Sequence, residues 1–587
     1  MPKNDLTFLL GGEAGQGIES SATGFAKAIA HAGLHIFDLR DYRSRIRGGH
    51  NFAQIRVSAE PVTSHRETVH VLLAMTEEAV RRHYPQIPAG GAILYDEAMP
   101  VEDAIWEAVQ ARGIQRFPVP LRKIAEEIGG AAVMMNTAAT AAATGVTQFP
   151  FSYIEEIIRV NFGKRGEAMV SANLKVADAA YRYALEHYAA GFDHTIEPIP
   201  DAPSRMLLNG NEAFAFGAVA GGCRFAAGYP MTPGSPVLEW LAGHANQYGL
   251  VVKHTEDEIA AICMAVGAGH VGARALVPTS GGGFSLMVEA LGFAGMSETP
   301  VVIYNAQRPG PSTGLPTRQE QGDLLFSLWA SQGEFLRVVL APGTHEEAFE
   351  AGWRSFNLAE TYQTPVIVLG DHFLATSSRT LEPEALDLSA VKVERGKLLS
   401  PAELDALEGE YYRYAITEDG VSPRAVPGHP KAVYVGEGNE HDYQGRIAEE
   451  IEDRVALNAK RLRKLETARQ SMRPPKRYGP AEAPVMLVGW GSTVMPALEA
   501  LRILNAERPT AQYLHITDVW PFPAEAVAQA LGEARVTIAV ENNALGQMAR
   551  LIRQETGIRL EHFISKYDGR PFSPEYIVRG VREVLHA

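Results

Sequence analysis

Three groups of residues near the middle of the chain could bind a small carboxylic acid beside an organic cofactor. The first is a proline-rich turn, Tyr229-Pro-Met-Thr-Pro233, which offers the hydroxyl of Thr232. The second is Thr255-Glu-Asp-Glu258, which places carboxylates at the start of a predicted helix, where acids also serve simply as caps. The third is Arg308 with Thr317, in the loop after a buried-type strand. Since a guanidinium holds a carboxylate through two parallel hydrogen bonds, the set favours recognition of a small acid without identifying the reaction.

Two glycine-rich segments could let a ligand approach the backbone closely. Thr279-Ser-Gly-Gly-Gly-Phe-Ser285 is predicted to be a turn after a strand in the middle of the chain. Gly11-Gly-Glu-Ala-Gly-Gln-Gly17 joins a predicted strand to a predicted helix, an order that could hold a phosphate, although a tight turn is the alternative. Three arginines at alternate positions between residues 43 and 47 suit a coenzyme phosphate, or else form a solvated charged turn.

Composition excludes several classes of function. A formal net charge of −15 without a basic stripe argues against nucleic acid as the main partner. No apolar run reaches about 18 residues and the N-terminus has no signal-peptide layout, so we expect no membrane contact and a cytoplasmic location. The two cysteines, Cys223 and Cys263, lie in apolar sequence and are predicted to be reduced core residues, too few for an iron–sulfur cluster. No metal-binding spacing, catalytic triad order or Walker A sequence is evident.

Strand and helix patterns alternate along the chain and predict the α/β fold class. A length of 587 residues exceeds one core, and the expected organisation is three α/β domains with a charged helical insertion. The predicted boundaries are a first domain at 1–191, a linker at 192–205, a second domain at 206–380, an insertion and linker at 381–480, and a third domain at 481–587. A long charged helix is predicted at 446–472, where packing or oligomer contact is favoured over catalysis.

The motifs and their order resemble those of the 2-oxoacid:ferredoxin oxidoreductases over nearly the whole chain. Residues 11–17 and Arg47-Gly-Gly-His50 resemble the family's gamma domain. Four segments resemble motifs of the family's alpha subunit: Tyr229-Pro-Met-Thr-Pro233, Thr255-Glu-Asp-Glu258, Thr279-Ser-Gly-Gly-Gly283 and Gln307-Arg-Pro-Gly-Pro-Ser-Thr-Gly-Leu-Pro-Thr317. Three further segments resemble the family's transketolase-C-like domain: Gly489-Trp-Gly-Ser492, Glu541-Asn-Asn543 and Lys566-Tyr-Asp-Gly569. The likeness is greatest to the fused gamma–alpha subunit of the enzymes that act on 2-oxoglutarate.

The resemblance implies an enzyme that cleaves a 2-oxoacid with thiamine diphosphate, transfers electrons singly to ferredoxin and passes the acyl group to coenzyme A. On the motif match, Glu258 corresponds to the carboxylate that hydrogen-bonds the aminopyrimidine ring, and Glu256 is its rival. Arg308 corresponds to the arginine that pairs with the substrate's C1 carboxylate. Thr232 and Thr317 correspond to hydroxyls at the substrate oxygens.

The other assignments rest on the same likeness. Tyr229 and Pro230 are expected at the thiamine cofactor, whereas Met231 replaces the family's Ile and is expected only to reshape an apolar wall. Coenzyme A is expected at the first domain, through Gly12, Gly15, Gly17 and Arg47. A distal carboxylate on 2-oxoglutarate requires a second cation, for which the candidates are Lys123, Arg45 and Arg47.

Two functions that this sequence lacks are expected on a separate beta subunit. These are the site for Mg²⁺ and the diphosphate and the ligands of a [4Fe-4S] cluster, so no metal site is predicted here. The expected assembly is (αβ)₂, with ferredoxin and a 2-oxoacid as further partners. A pyruvate or branched-chain 2-oxoacid enzyme is one alternative, and a non-catalytic nucleotide- or acyl-CoA-binding protein is another. The direction of the reaction is not determined by the sequence.

Overall fold

A computed structural model of the chain describes residues 3–44 and 48–586. These residues form two compact units, the first comprising 1–208, 377–385 and 573–575, and the second comprising 209–376, 386–572 and 576–587. No helix within the described ranges is long and apolar enough to cross a membrane.

Strands and helices alternate through both units, as an α/β chain requires. The strands in chain order are β1 (Asp5–Glu13), β2 (His35–Asp41), β3 (His50–Ser58), β4 (Val71–Ala74), β5 (Ala92–Asp96), β6 (Gln115–Val119), β7 (Met206–Asn209), β8 (Phe225–Gly228), β9 (Val251–His254), β10 (Ala275–Thr279), β11 (Val301–Gln307), β12 (Val338–Leu340), β13 (Pro365–Asp371), β14 (Ser378–Leu381), β15 (Lys476–Tyr478), β16 (Val485–Trp490), β17 (Ala511–Ile516), β18 (Asp518–Trp520), β19 (Val536–Glu541) and β20 (His562–Ser565).

The helices in chain order are α1 (Ile18–His31), α2 (Glu77–His83), α3 (Asp103–Ala111), α4 (Leu121–Glu127), α5 (Met135–Val146), α6 (Phe151–Phe162), α7 (Glu167–His187), α8 (Gly210–Ala220), α9 (Ser235–Gly243), α10 (Ala245–Tyr248), α11 (Glu258–His270), α12 (Gly281–Met296), α13 (Leu324–Trp329), α14 (His345–Tyr362), α15 (His372–Thr376), α16 (Pro401–Asp405), α17 (Ile451–Arg469), α18 (Val494–Leu504), α19 (Ala524–Gly532), α20 (Gln547–Thr556) and α21 (Pro574–His586).

The first unit is built on an eight-stranded sheet with the order β6-β5-β4-β1-β3-β2-β14-β7. Strands β1, β4, β5 and β6 run parallel, and β3 pairs antiparallel with both β1 and β2. The fully buried Phe8 of β1 packs edge-on against Phe25 of α1, with ring centroids 4.7 Å apart. Because the carboxyl ends of parallel strands meet at one edge, the turn that links β1 to α1 lies beside the ends of β4 and β5.

The second unit contains a seven-stranded sheet with the order β18-β12-β13-β11-β10-β8-β9. All its pairings are parallel except β12 with β18. The order places β8, β10 and β11 side by side, so three separate loops leave the sheet at neighbouring positions. These loops carry the proline-rich turn, the glycine segment and Arg308, which explains how residues distant in sequence share one edge.

The second unit also contains a five-stranded sheet with the order β15-β17-β16-β19-β20. It is parallel except for β15 at its edge. A shared apolar core joins the two sheets of this unit, and it includes the buried Trp490 of the smaller sheet and Ile303 of the larger one. The α/β class is therefore confirmed, whereas the domain boundaries predicted above stay predictions.

Two glycine segments differ from their predicted turns. Gly11 and Gly12 belong to β1, because they pair with Phe52 and Asn51 of β3 and the strand continues to Glu13. The three glycines at 281–283 form the first turn of α12, with Ser280 as the N-cap residue. Glycine occurs in turns and also at the ends of helices and strands. A glycine-rich sequence therefore could not distinguish a turn from the end of β1 or the start of α12.

Two other predictions in the second unit need correction. The charged helix α17 is shorter than the predicted span of 446–472. Cys223 is buried as predicted, but Cys263 is exposed. Its helix, α11, carries apolar residues on both its buried and its exposed faces, including the half-exposed Ile259 and Met264. Because α11 is apolar all round, its sequence does not indicate which face is exposed to solvent, and the exposure of Cys263 could not be predicted.

Candidate functional site

The proline-rich turn and Arg308 are joined directly. The Arg308 guanidinium donates a hydrogen bond from Nη1 to the carbonyl oxygen of Thr232 over 2.7 Å. Asn211 of α8 donates to the next carbonyl, that of Pro233, over 2.8 Å. Tyr229 and Pro230 are exposed at the start of the turn, and Thr232 is half-buried. The end of the turn is thus fixed by hydrogen bonds to its carbonyl groups, while Tyr229 and Pro230 at its start remain accessible to a ligand.

Glu256 and Glu258, the two candidates for the carboxylate at the aminopyrimidine ring, occupy different environments, and Asp257 between them has a structural role. Asp257 caps α11, since its Oδ1 accepts a hydrogen bond from the amide of Ala260 over 2.6 Å. Glu258 is the first residue of that helix and is only 4% exposed, whereas Glu256 is exposed. Among the described residues, none donates a hydrogen bond to the Glu258 carboxyl group. A buried acid without an internal partner is costly unless a ligand supplies one.

The first turn of α12 packs against Glu258. A Cβ built on Gly283 would lie 2.3 Å from Oγ1 of Thr279 and 2.8 Å from Cγ of Glu258, so only glycine fits. The Gly283 amide donates a hydrogen bond to Sδ of Met231 over 3.2 Å. Met231 therefore does more than reshape an apolar wall: its sulfur, a weak acceptor, binds the start of α12.

Asp323 is a charged residue of this site that the sequence reasoning missed. Asn305 Nδ2 donates to its Oδ2 over 3.1 Å, and its amide donates to Oε1 of Gln307 over 3.0 Å. Its Oδ2 also lies 2.6 Å from the position of a Cβ on Gly281. The only available signal was an acid just before a short apolar helix, a pattern that a simple cap explains equally well.

The electrostatics of Asp323 and Arg308 are coupled. Burial raises the pKa of Asp323 to about 6, against the opposing effects of the Asn305 hydrogen bond and the Arg308 charge. Burial lowers the pKa of Arg308, and the Asp323 charge opposes that change. Arg308 stays a cation because an arginine pKa begins far above neutrality. The site thus offers one permanent positive charge beside a carboxylate that titrates near neutrality.

The remaining predicted substrate residues lie in different parts of the chain. Thr317 is buried in the loop before Asp323, and its carbonyl accepts a hydrogen bond from Nη1 of Arg318 over 3.1 Å. Lys123 belongs to the first unit, where it is exposed on α4. The second unit therefore contains Glu258, Arg308 and the two threonines, whereas Lys123 lies in the first unit.

The predicted phosphate turn of the first unit has the backbone that such a site needs. Gly15 and Gly17 have φ angles of 93° and 74°, a region that favours glycine. A Cβ on Gly12 would lie 2.6 Å from Oε1 of Gln16, and one on Gly17 would lie 2.4 Å from Nδ2 of Asn136. Each glycine is thus explained by close packing or by its φ angle, and the turn leads into the N-terminus of α1.

The arginine segment that follows β2 lies partly outside the described residues, and Arg45 and Arg47 are among those outside. His50, at the end of the segment, is buried with its Nε2 2.7 Å from Nε2 of His83. Burial, followed by the His83 charge, lowers the pKa of His50 to about 4. His50 is therefore neutral at physiological pH and adds no positive charge to a phosphate site.

A cavity of about 470 Å³ lies at the carboxyl ends of β4 and β5 in the first unit. Methionines form much of its wall, and Asp96 and Arg122 contribute polar groups; its apolar lining includes Met75, Met99 and Met135. A Cβ on Gly12 would lie 3.0 Å from Cβ of Met75, so the cavity adjoins the glycine turn. Cavities of this size and position commonly accept small molecules.

Comparison with known proteins finds family matches in both units. The family described as "Pyruvate flavodoxin/ferredoxin oxidoreductase, thiamine diP-bdg" matches residues 216–460, and "Pyruvate ferredoxin/flavodoxin oxidoreductase" matches residues 7–183. These matches define the class of protein, an oxidoreductase subunit with a thiamine diphosphate-binding domain. The 2-oxoacid:ferredoxin oxidoreductase subunit alpha of Saccharolobus solfataricus is 32% identical over 99% of this chain and 98% of that protein. The chain belongs to the 2-oxoacid:ferredoxin oxidoreductase family, as an alpha subunit.

Two further relatives are named for 2-oxoglutarate. The 2-oxoglutarate oxidoreductase subunit KorA of Mycobacterium tuberculosis is 28% identical over 98% of this chain and 90% of that protein. A solved structure, described as 2-oxoglutarate:ferredoxin oxidoreductase from Magnetococcus marinus with 2-oxoglutarate, coenzyme A and succinyl-CoA bound, is also similar. It superposes with a TM-score of 0.91 at 32% identity, covering 99% of this chain and 100% of that one.

Proposed function

We propose that this chain is the alpha subunit, fused to a gamma domain, of a 2-oxoglutarate:ferredoxin oxidoreductase. The enzyme would interconvert 2-oxoglutarate and coenzyme A with succinyl-CoA and CO₂, with electrons passing to or from ferredoxin. The observation that carries the proposal is the buried Glu258 carboxyl group, which has no hydrogen-bond donor among the described residues. It lies at the same edge of the seven-stranded sheet as Arg308. The relatives named for 2-oxoglutarate supply the choice of substrate.

The residues of the second unit fit the pyrimidine half of thiamine diphosphate. The chemistry that this cofactor supplies when bound is a nucleophilic carbon for cleavage beside the 2-oxo group. Glu258 would share a proton with a nitrogen of the aminopyrimidine ring, because a buried carboxyl group in a dry site holds such a hydrogen bond firmly. The close contact at Gly283 limits the movement of the Glu258 side chain. Tyr229 and Pro230 would border the cofactor.

Arg308 would bind the C1 carboxylate of the substrate. Its hydrogen bond to the Thr232 carbonyl fixes one Nη atom and leaves the other edge of the guanidinium for a ligand. An arginine so oriented pairs with a carboxylate more specifically than a lysine does. The hydroxyls of Thr232 and Thr317 would then meet the substrate oxygens. Lys123 and the arginines at 45 and 47 stay the candidates for the second cation that a distal carboxylate requires.

A beta subunit would cover the apolar faces of α11 and α12. Four large apolar side chains there are exposed by 40% or more: Ile259, Met264, Leu286 and Phe293. Such a patch beside an incomplete site is typical of a protein interface. The beta subunit would bring Mg²⁺, the diphosphate site and the [4Fe-4S] cluster, since this chain has only two cysteines. An (αβ)₂ assembly in the cytoplasm, with ferredoxin as electron partner, completes the proposal.

Coenzyme A would approach the first unit. Its phosphates suit the amides around Gly12, Gly15 and Gly17 and the cation of Arg47, because helix N-termini attract anions. The adjacent methionine-lined cavity offers an apolar surface to the rest of the coenzyme. The gamma domain would thus be a binding module, with the chemistry confined to the second unit and its partner.

We expect the chain, co-expressed with its beta subunit, to reduce ferredoxin or viologen with 2-oxoglutarate, thiamine diphosphate and coenzyme A. Rates should be at least tenfold lower with pyruvate, because pyruvate lacks the distal carboxylate. A preference for pyruvate would keep the reaction class and overturn the substrate. A folded, cluster-containing complex without turnover on either acid would favour a non-catalytic acyl-CoA-binding protein.

The pKa of Asp323 predicts how substrate affinity changes with pH. Below about pH 6 its carboxylate becomes neutral, which removes a negative charge that competes with the substrate for Arg308. The KM for 2-oxoglutarate should therefore fall several-fold as the pH is lowered from about 7.5 to about 5.5. In Asp323→Asn the KM should already be low at the higher pH and should change little. A variant profile parallel to that of the wild type would assign the titration to another group.

A further inference from the structure

Three motifs of the smaller sheet in the second unit have no role in the proposed site, yet all lie at one edge. Gly489-Trp-Gly-Ser492 ends β16, Glu541-Asn-Asn543 ends β19 and Lys566-Tyr-Asp-Gly569 follows β20. We propose that these motifs form a clamp that holds residues 317–323 in place for substrate binding, with Gln321 as its central positioning residue. This inference rests on the proposed function, because the clamped loop carries Thr317 and Asp323.

Gln321 makes the central contacts of the clamp and is fully buried. Its amide donates to the carbonyl oxygen of Asn542 over 2.8 Å. Its side-chain Nε2 donates to the Trp490 carbonyl over 3.1 Å and to Oδ2 of Asp371 over 3.0 Å. One side chain thus connects the ends of β16 and β13, and its backbone adds the end of β19. Replacing its side chain by an apolar one would take one donor from each of these two acceptors, and it would remove the acceptor of the Asn542 amide, Oε1 of Gln321, at 3.4 Å.

Residues on both sides of Gln321 are held by the same sheet. The amide of Gln319 donates to the Gly569 carbonyl over 3.2 Å, in the third motif. Gln547, at the start of α20, donates from Nε2 to the Gly322 carbonyl over 2.7 Å and accepts from the Leu325 amide over 3.0 Å. The loop is therefore bound through its backbone at three positions, 319, 321 and 322.

Two motif glycines make room for the loop. Gly491 has a φ of 54°, and a Cβ there would lie 2.7 Å from Nε2 of Gln321. Gly569 has a φ of 78°, and a Cβ there would lie 3.3 Å from Cβ of Arg318. A side chain at either glycine would strain the backbone, and at Gly491 it would also collide with the Gln321 amide. Gly491 of the first motif and Gly569 of the third are thus explained by the approach of the loop.

The clamp itself is rigid because its polar groups satisfy one another. Glu541 accepts hydrogen bonds from Trp490 Nε1 over 3.3 Å and from Asn543 Nδ2 over 2.9 Å. The Ser492 hydroxyl donates to Oδ2 of Asp371 over 2.6 Å, the same oxygen that Gln321 contacts. A buried network in which every member is paired fixes positions better than isolated contacts do. By contrast, residues 310–315 of the loop are exposed, so the clamped end must set its position.

The test is Gln321→Leu in the complete αβ enzyme, with Gln512→Leu as the matched control. Gln512 is a buried glutamine of the same sheet that donates one hydrogen bond, to the Ala483 carbonyl over 3.0 Å, away from the loop. In Gln321→Leu the KM for 2-oxoglutarate should rise at least about tenfold, because a small displacement of binding groups costs that much. The KM for coenzyme A should stay within about twofold, and Gln512→Leu should change neither constant.

A second readout does not depend on activity. Amide hydrogen exchange in residues 311–323 should be at least about tenfold faster in Gln321→Leu than in the wild type or in Gln512→Leu. Unchanged exchange in that segment would overturn the clamp even if the KM rises. Equal effects of the two variants would show a general loss of packing and would also overturn it. If the wild-type complex has no turnover but the loop is released in Gln321→Leu, the proposed function fails and the clamp stands.

Discussion

Replacing Glu258 with glutamine is expected to lower the kcat for 2-oxoglutarate-dependent ferredoxin reduction by at least about 100-fold in the complete enzyme. Positioned acid–base groups contribute about 10²–10⁴-fold, and glutamine keeps the shape of the side chain while losing the exchangeable proton. Glu258 is only 4% exposed, and the first turn of α12 packs against it at Gly283, so the carboxyl group is held in place for this role. The kcat should be measured with saturating thiamine diphosphate, which separates chemistry from cofactor affinity.

Glu256→Gln is the matched control for that experiment. Glu256 lies two residues earlier and is exposed, so its replacement should leave the kcat within about twofold. Calorimetric titration with thiamine diphosphate should show that Glu258→Gln still binds the cofactor. Full activity in Glu258→Gln, or an equal loss in both variants, would contradict the assignment of the buried acid.

The strand pattern predicted much of this site because parallel strands deliver their loops to one edge. Runs such as Val301–Gln307 are buried on both faces and are therefore easily recognised in sequence. Once β8, β10 and β11 are neighbours, the turn at 229–233 and Arg308 must meet. The family's motifs supplied the roles of these residues, which spacing alone did not.

Contacts made by loops across sheets were not predictable in the same way. Asp323 and Gln321 follow a loop without regular structure. Their partners Asn305, Gln307 and Asn542 lie on or directly after strands and are 16 to 221 residues away in sequence. No periodic pattern reports a pairing at that separation. The glycines at the end of the five-stranded sheet were recognised as parts of motifs. The residue that packs against each of them is known only from the structure.

The charged insertion was the hardest segment to interpret, because buried ion pairs fix it within the second unit in addition to a small apolar cluster that includes Leu404 and Tyr411. Glu360 pairs with three arginines at distances of 2.6–3.0 Å, from Arg274, Arg395 and Arg424. Glu298 pairs with Lys460 of α17 at 2.6 Å, and also with Lys464 of the same helix. A charged sequence usually indicates a solvated face, and here three charged residues of α17 are buried: Lys460, Arg461 and Lys464.

Glu298→Gln is therefore expected to destabilise the second unit by about 3–5 kcal/mol, because it leaves the two buried ammonium groups without a counter-ion. Burial by itself raises the pKa of Glu298, but the Lys460 and Lys464 charges outweigh it and hold the pKa below its usual range. The stabilisation is present above the ordinary carboxyl pKa and is lost as the pH falls through the lowered value. The measurement is the urea midpoint of the purified complex near neutral pH, together with hydrogen exchange in α17.

Two comparisons separate the buried charge from a general effect of substitution. Glu466 lies on the same helix and pairs with Arg469 at the surface, so Glu466→Gln should change stability by less than about 1 kcal/mol. Replacing Glu298, Lys460 and Lys464 together by methionine should recover much of what Glu298→Gln loses, because the two ammonium groups are then removed together with their counter-ion. If Glu298→Gln is as mild as the surface variant, the insertion must be held by its apolar contacts, such as the buried Leu457 of α17, and not by its ion pairs.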